Sequence, residues 1–166
     1  MLRYLTAGDS HGPALVGILE GLPRGIPVRS EEFQELLSRR RAGYGRSVRQ
    51  ALETDTIDII GGIHRGRTTG NPIGLLIHNQ SSPPAVGKNA TESPGSGNIR
   101  LSRPRPGHAD FSGAMKMGLE DYHDIAERAS ARETAIRTAL SVPARGLLKQ
   151  LRIESHLNLE ADQRPL

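Results

Sequence analysis

The sequence predicts an α+β fold, an antiparallel sheet with helices packed against it, and three observations carry that expectation. Short apolar runs of strand length, closed by glycine and proline, fill the first half of the chain. One segment near residue 30 has apolar residues at helical spacing, with acids at its start and arginines at its end. The last third carries an alanine-rich helical pattern. With 166 residues, 36% of them hydrophobic, the chain can bury one core of ordinary size, so a single domain or one lobe of a larger one is expected.

Residues 13–21 are an apolar run of strand length that ends in Gly21-Leu22-Pro23-Arg24-Gly25, a turn. Ser30 is the expected N-cap of a helix that carries Phe33, Leu36 and Leu37 inward and ends on Arg39, Arg40 and Arg41, matching the helix dipole at both ends. A capping box is missing, because Phe33 stands where Glu or Gln would be needed. Residues 51–63 and 69–78 read as two further strands joined through glycine and arginine, a hairpin or meander. From 80 to 98 the composition turns to Ser, Pro, Gly, Asn and Thr without periodicity, which predicts a flexible loop. Helical patterns cover 112–125 and 127–152. Pro143 falls inside the second and is expected to kink or split it, because proline lacks the amide proton and clashes with the preceding turn. No internal repeat is present.

The absence of cysteine excludes a disulfide framework and thiolate chemistry and removes the commonest structural zinc ligands, so no metal is expected. No stretch approaches the roughly 20 apolar residues of a membrane span, and the first residues run into Gly8-Asp9-Ser10-His11 rather than a signal-peptide hydrophobic region, so a cytoplasmic protein without membrane contact is expected. The net charge of +4 comes from 19 arginines against 3 lysines. Arginine grips phosphate and carboxylate bidentately, which suggests an anion site, although a codon bias gives the same count. Nucleic acid is not expected as a partner, since binding it normally uses aromatic platforms and the chain has two Phe, three Tyr and no Trp.

Candidate chemistry concentrates in glycine-flanked segments. Gly8-Asp9-Ser10-His11-Gly12 places an imidazole on a tight loop before the first apolar run, where it can serve as an acid or simply be solvated. Arg103-Pro104-Arg105-Pro106-Gly107-His108-Ala109-Asp110 sets two arginines and a histidine on a proline-stiffened track, either an anion site or an exposed basic turn. The stretch from Arg39 to Arg49 gathers guanidinium groups around Gly43-Tyr44-Gly45. A helix end that complements the dipole explains Arg39, Arg40 and Arg41 but not Arg46 and Arg49, for which a polyanionic ligand is the natural compensation. Glu127-Arg128-Ala129-Ser130-Ala131-Arg132-Glu133-Thr134 opens the alanine-rich helix with small residues whose amides can meet a phosphate, or which serve ordinary helix packing.

Taken together these segments resemble the chorismate synthase family. The run from Gly8 to Pro23 is similar to its first signature, Arg105-Pro106-Gly107-His108-Ala109-Asp110 to its central motif and the run from Glu127 to Thr134 to a later one, in the same order and spacing, with Arg39-Arg40, Gly43-Tyr44-Gly45-Arg46 and Glu53-Thr54-Asp55 between them. The resemblance reaches from Met1 to about His156 and implies one lobe of a β-α-β sandwich, hence a single partial domain over 1–166 with a divergent tail at 157–166. It implies elimination of phosphate from 5-enolpyruvylshikimate 3-phosphate to give chorismate, with reduced FMN as cofactor, NADPH as a candidate reductant, and a homotetramer. By resemblance, Arg40, Arg46, Arg49, Arg105 and Arg132 would bind the anionic substrate. Arg40, Arg46, Arg128, Ala129 and Ser130 would touch the flavin. His11 would protonate the leaving phosphate, and His108 the reduced flavin. The family's second half, which brings further site residues, is not in this chain. A non-catalytic anion-binding or interaction module derived from the enzyme is the alternative.

Overall fold

The computed structural model describes residues 1–42, 55–79 and 101–154. The expected loop at 80–98, the tail at 157–166, and Arg46, Arg49, Glu53 and Thr54 lie outside the described residues.

The sheet is antiparallel throughout and, with the helices against it, makes an α+β fold as expected. Its strands are β1 (Arg3–Ala7), β2 (Ala14–Glu20), β3 (Ile57–Gly61) and β6 (Ile73–His78), in the order β1-β2-β6-β3. Between β3 and β6 the chain makes a small hairpin of β4 (Ile63–His64) and β5 (Arg67–Thr68), so the expected hairpin or meander is two nested hairpins. Thr68 fastens the inner one: its buried hydroxyl donates to the Pro23 carbonyl at 2.6 Å and accepts from the Ile26 amide at 2.9 Å. β1 adds an edge strand that the apolar pattern did not indicate, since only Thr6 within it is partly covered.

Strand alternation decides which sheet face is covered. Leu15 and Leu19 of β2 and Ile73, Leu75 and Ile77 of β6 are buried on one face, while Val16 and Ile18 alternate with them on the other, exposed, face. The covering layer is a pair of helices, α1 (Ser30–Arg41) and α4 (Glu133–Gln150), which run antiparallel. Lys149 Nζ meets Glu32 at 2.8 Å at one end, and Arg40 Nε donates to Thr134 Oγ1 at 2.9 Å at the other. Phe33 and Leu37 of α1 and Ala135, Ile136, Ala139 and Leu140 of α4 complete the core. Gly17 permits the close approach, because a Cβ there would stand 2.7 Å from Ile136 Cγ1 and 2.9 Å from Leu140 Cδ1.

Three helix expectations are corrected. The residue that caps α1 is Arg29, with extended backbone, and Ser30 is already helical with its hydroxyl turned to Glu31, so no side chain caps the helix. The pattern at 112–125 is two helices, α2 (Asp110–Met117) and α3 (His123–Arg128), because Gly118 takes a left-handed conformation and returns its amide to the Ala114 carbonyl. The last helix begins at Glu133 rather than 127; residues 129–132 form a turn in which the Glu133 amide donates to the Ser130 carbonyl. Pro143 does not split α4. An interior proline costs about 3 kcal/mol of helix propensity, but here it is buried between two anchored halves, with Ile136 and Leu140 on one side and Gly146 against Ile26 on the other.

Candidate active site

The C-terminal end of β1, the start of β2, the end of β6 and the start of β3 fall along one edge, because the register pairs Ala7 with Val16, Ala14 with His78 and Ile57 with Ile77. The first turn of α4 and the last turn of α1 reach the same end: Thr6 Oγ1 donates to Glu133 at 2.7 Å, and Arg40 Nη2 donates to the Ala131 carbonyl at 2.8 Å.

His11 lies in the loop between β1 and β2. The Asn79 side chain, just beyond β6, holds that loop by turning its amide NH2 to the carbonyls of Gly12 (2.7 Å), Asp9 (3.2 Å) and Ser10 (3.4 Å), while the Asn79 backbone amide donates to Pro13. The other end of the Asn79 amide is held in turn, since its Oδ1 accepts from Arg132 Nε at 2.8 Å. Arg132 is buried at 7% exposure and donates through Nη1 to Asp55 Oδ1 at 2.5 Å. Asp55 Oδ2 has no hydrogen-bond partner among the described residues.

On its other side the His11 loop meets Glu127, at the end of α3. Glu127 Oε1 lies 2.7 Å from His11 Nδ1, and its Oε2 accepts from the His11 backbone amide at 2.8 Å and the Ser10 hydroxyl at 3.1 Å. Burial pushes the Glu127 carboxyl up, but the donors from His11 and Ser10 outweigh it and leave the group below its ordinary value, so it is ionised near neutrality.

His108 sits in a second constellation at the start of α2. Asp110, fully buried, receives Arg105 through Nε (2.8 Å), Nη2 (2.9 Å) and the backbone amide (2.9 Å), and His108 Nδ1 lies 2.9 Å from its Oδ1. The Arg105 guanidinium overcomes the burial penalty and holds the Asp110 carboxyl far below the usual range, and Asp110 raises Arg105 in return.

A third cluster surrounds Glu133. Arg128 donates through Nη2 to the Thr6 carbonyl and hydroxyl and lies 3.5 Å from Glu133 through Nη1, and Arg137 reaches Glu133 at 2.7 Å. Burial raises the Glu133 carboxyl, while the hydrogen bonds from Thr6 and Arg137 bring it below its ordinary value. Ala129 and Ala131 are exposed in the turn that follows Arg128, and Arg40 donates to neutral acceptors in and beside it, the Ala131 carbonyl and Thr134 Oγ1.

His11, Arg40, Arg128, Ala129, Ser130 and Arg132 therefore lie at one end of the sheet, and His108 with Arg105 lies on the segment that leads into α2. Asn79, Asp55, Glu127 and Asp110 were not singled out from the sequence. Glu127 and Asp110 stand inside the motifs, and a carboxylate near an arginine or histidine is a weak signal of pairing. Asp55 stands in Glu53-Thr54-Asp55, whose resemblance to the family names no role for it, and Asn79 gives no signal. Two surface concavities, of about 240 and 300 Å3, lie beside the N-terminal half of α1, at the far end of the helix pair from Arg40. Among the described residues no group of His, Asp and Glu forms a metal site, and no helix is long and apolar enough to cross a membrane.

The antiparallel α+β fold of this chain is also that of a solved protein. A crystal structure of chorismate synthase superposes with a TM-score of 0.65 at 36% identity, covering 90% of this chain and 34% of that one. The chorismate synthase family profile matches residues 2–161, and the chain belongs to that family. It is 49% identical over 165 residues to the chorismate synthase of Micrococcus luteus, covering 94% of this chain and 40% of that protein. It is also 49% identical to that of Thermobifida fusca, covering 95% and 42%. The chain thus spans about 40% of the length of the curated relatives it matches.

Proposed function

We propose that the chain is the amino-terminal lobe of a chorismate synthase, a truncated partial domain of the enzyme that eliminates phosphate from 5-enolpyruvylshikimate 3-phosphate to give chorismate. The observation that carries this reading is the gathering of His11, Arg40, Arg128 and Arg132 at one sheet end from segments far apart in the chain. Elimination breaks a carbon–oxygen and a carbon–hydrogen bond and forms a carbon–carbon double bond. The departing phosphate can be protonated by an imidazolium, the role of His11, and the hydrogen lost from carbon would pass to the flavin relay. Arg40, Arg46, Arg49, Arg105 and Arg132 supply cationic donors for the phosphate and two carboxylates of the substrate. Arg132 and Arg105 act while anchored to Asp55 and Asp110, which makes them rigid parts of the wall.

The small side chains at 129–131, with Arg128 and Arg40 bonded beside them, fit a flat anionic cofactor, so Arg40, Arg46, Arg128, Ala129 and Ser130 would hold FMN. Reduced FMN supplies a transient electron and proton relay in a reaction without net oxidation. His108, held by Asp110, is the proton donor on the flavin side. On the same reading the enzyme is a cytoplasmic homotetramer that draws on NADPH to keep the flavin reduced.

The test is chorismate formation by this chain under anaerobic conditions, with reduced FMN and the substrate supplied. Turnover that is lost in His11→Ala and His108→Ala supports the proposal. A second reading is a non-catalytic anion-binding or interaction module that keeps the same arginine cluster, with Arg40, Arg128 and Arg132 at one sheet end. Folded chain without turnover would mean a fragment or the second reading. Turnover restored by adding the carboxyl-terminal half of a relative supports the fragment, and substrate binding with no turnover even then sinks the first reading.

A further inference from the structure

We propose that Glu127 is the positioning residue for His11, fixing the neutral imidazole as its Nδ1–H tautomer so that Nε2 is the nitrogen that exchanges a proton with the substrate. The identity of that proton acceptor rests on the function proposed above; the tautomer does not.

The assignment follows from counting donors. An ionised carboxylate only accepts hydrogen bonds. Glu127 Oε2 is occupied by the His11 backbone amide, a donor that cannot be reversed, and by the Ser10 hydroxyl. Ser10 Oγ also lies 3.0 Å from His11 Nδ1, but its single hydrogen serves Oε2. At 2.7 Å, Nδ1 and Oε1 must share a hydrogen, and with the carboxylate ionised that hydrogen belongs to the ring. The ring itself is 64% exposed while Glu127 is only 11% exposed, so the carboxylate that accepts the ring hydrogen is sheltered from water.

An exposed histidine–carboxylate pair is ordinarily worth little, because two mobile side chains must be held together. Here the backbone does the holding. Glu127 binds the main chain of the same loop, and Asn79 clamps that loop from the opposite side through the carbonyls of Asp9, Ser10 and Gly12. His108 provides an internal contrast. Its Nδ1 lies 2.9 Å from an acceptor, Asp110 Oδ1, and 3.1 Å from a donor, Arg105 Nη2, so its neighbours do not dictate one tautomer.

Glu127→Gln makes the inference sharp. The amide oxygen must face the irreversible His11 N–H, which turns the NH2 toward Nδ1 and obliges that nitrogen to accept. The ring then becomes the Nε2–H tautomer. The experiment is nitrogen NMR of the 15N-labelled 166-residue chain at pH about 9, above the ordinary imidazole range, with His11 identified by the signal lost in His11→Asn. The parent chain should show a protonated Nδ1 and a bare Nε2, and Glu127→Gln should exchange the two. A parent chain with protonated Nε2, or a folded Glu127→Gln chain with the parent tautomer, overturns the proposal. If Glu127→Gln does not fold, the parent tautomer alone decides. A chain that forms no chorismate yet shows the inversion refutes activity of the 166 residues alone and leaves this inference standing.

Discussion

Removing the buried guanidinium of Arg132 should destabilise the fold more than any surface change, and the structure supplies the size. Arg132→Met would leave Asp55 at 3% exposure with its Oδ2 already lacking a partner and its Oδ1 newly without one, and would orphan Asn79 Oδ1 as well. Removing one partner of a buried ion pair costs about 3–5 kcal/mol, a large share of the roughly 5–15 kcal/mol that holds a domain together. At about 2–4 °C per kcal/mol for a chain of this size, the melting temperature should fall by roughly 6–20 °C. Much of that cost is the stranded negative charge, so Arg132→Met combined with Asp55→Asn should be more stable than Arg132→Met alone, by about 1 kcal/mol or more. The chain has no tryptophan, so unfolding in urea is followed by far-ultraviolet circular dichroism. A loss below about 1 kcal/mol for the single variant, or a double variant whose losses simply add, would refute the account of this network.

Gly17→Ala should destabilise the fold by about 1–3 kcal/mol through overpacking, because the new methyl meets Ile136 and Leu140 under 3 Å away; an unchanged urea midpoint would show that α4 does not sit as close to β2 as described. Acid should weaken the fold through Asp110, Glu127 and Glu133, all held below their ordinary values. For such groups the unfolded chain binds protons more readily, so their contribution is complete above the ordinary carboxyl range near pH 4 and is lost as pH falls through the folded values. Asp110→Asn should flatten the acid limb of stability against pH, and an unaltered limb would mean that the Arg105 grip contributes nothing to it.

What was legible in the sequence was local. The alternation of β2 and β6, the inward stripe of Phe33 and Leu37, and the alanine face of α4 are patterns of period two or 3.6, which depend only on which side of an element is buried. The two histidines stood out because glycine and proline mark their loops. The break at Gly118 was missed because apolar spacing continues through 112–125, and the left-handed residue that ends α2 is a backbone choice. Ser30 has the chemistry of a cap, but the chain enters the helix one residue earlier.

The α+β class, the positions of the main elements and the family motifs follow from local order, because periodicity and short-range turn chemistry are written into neighbouring residues. Long-range packing sets the rest: that β1 forms the sheet edge, that Pro143 stays within an unbroken helix, and which groups hold the candidate site. Asn79 meets Arg132 across 53 positions, Asp55 meets Arg132 across 77, and Glu127 meets His11 across 116. Such partners share no local pattern. They are selected by which strand ends and helix ends the packed core brings together, and by the cost of leaving a buried polar group without one.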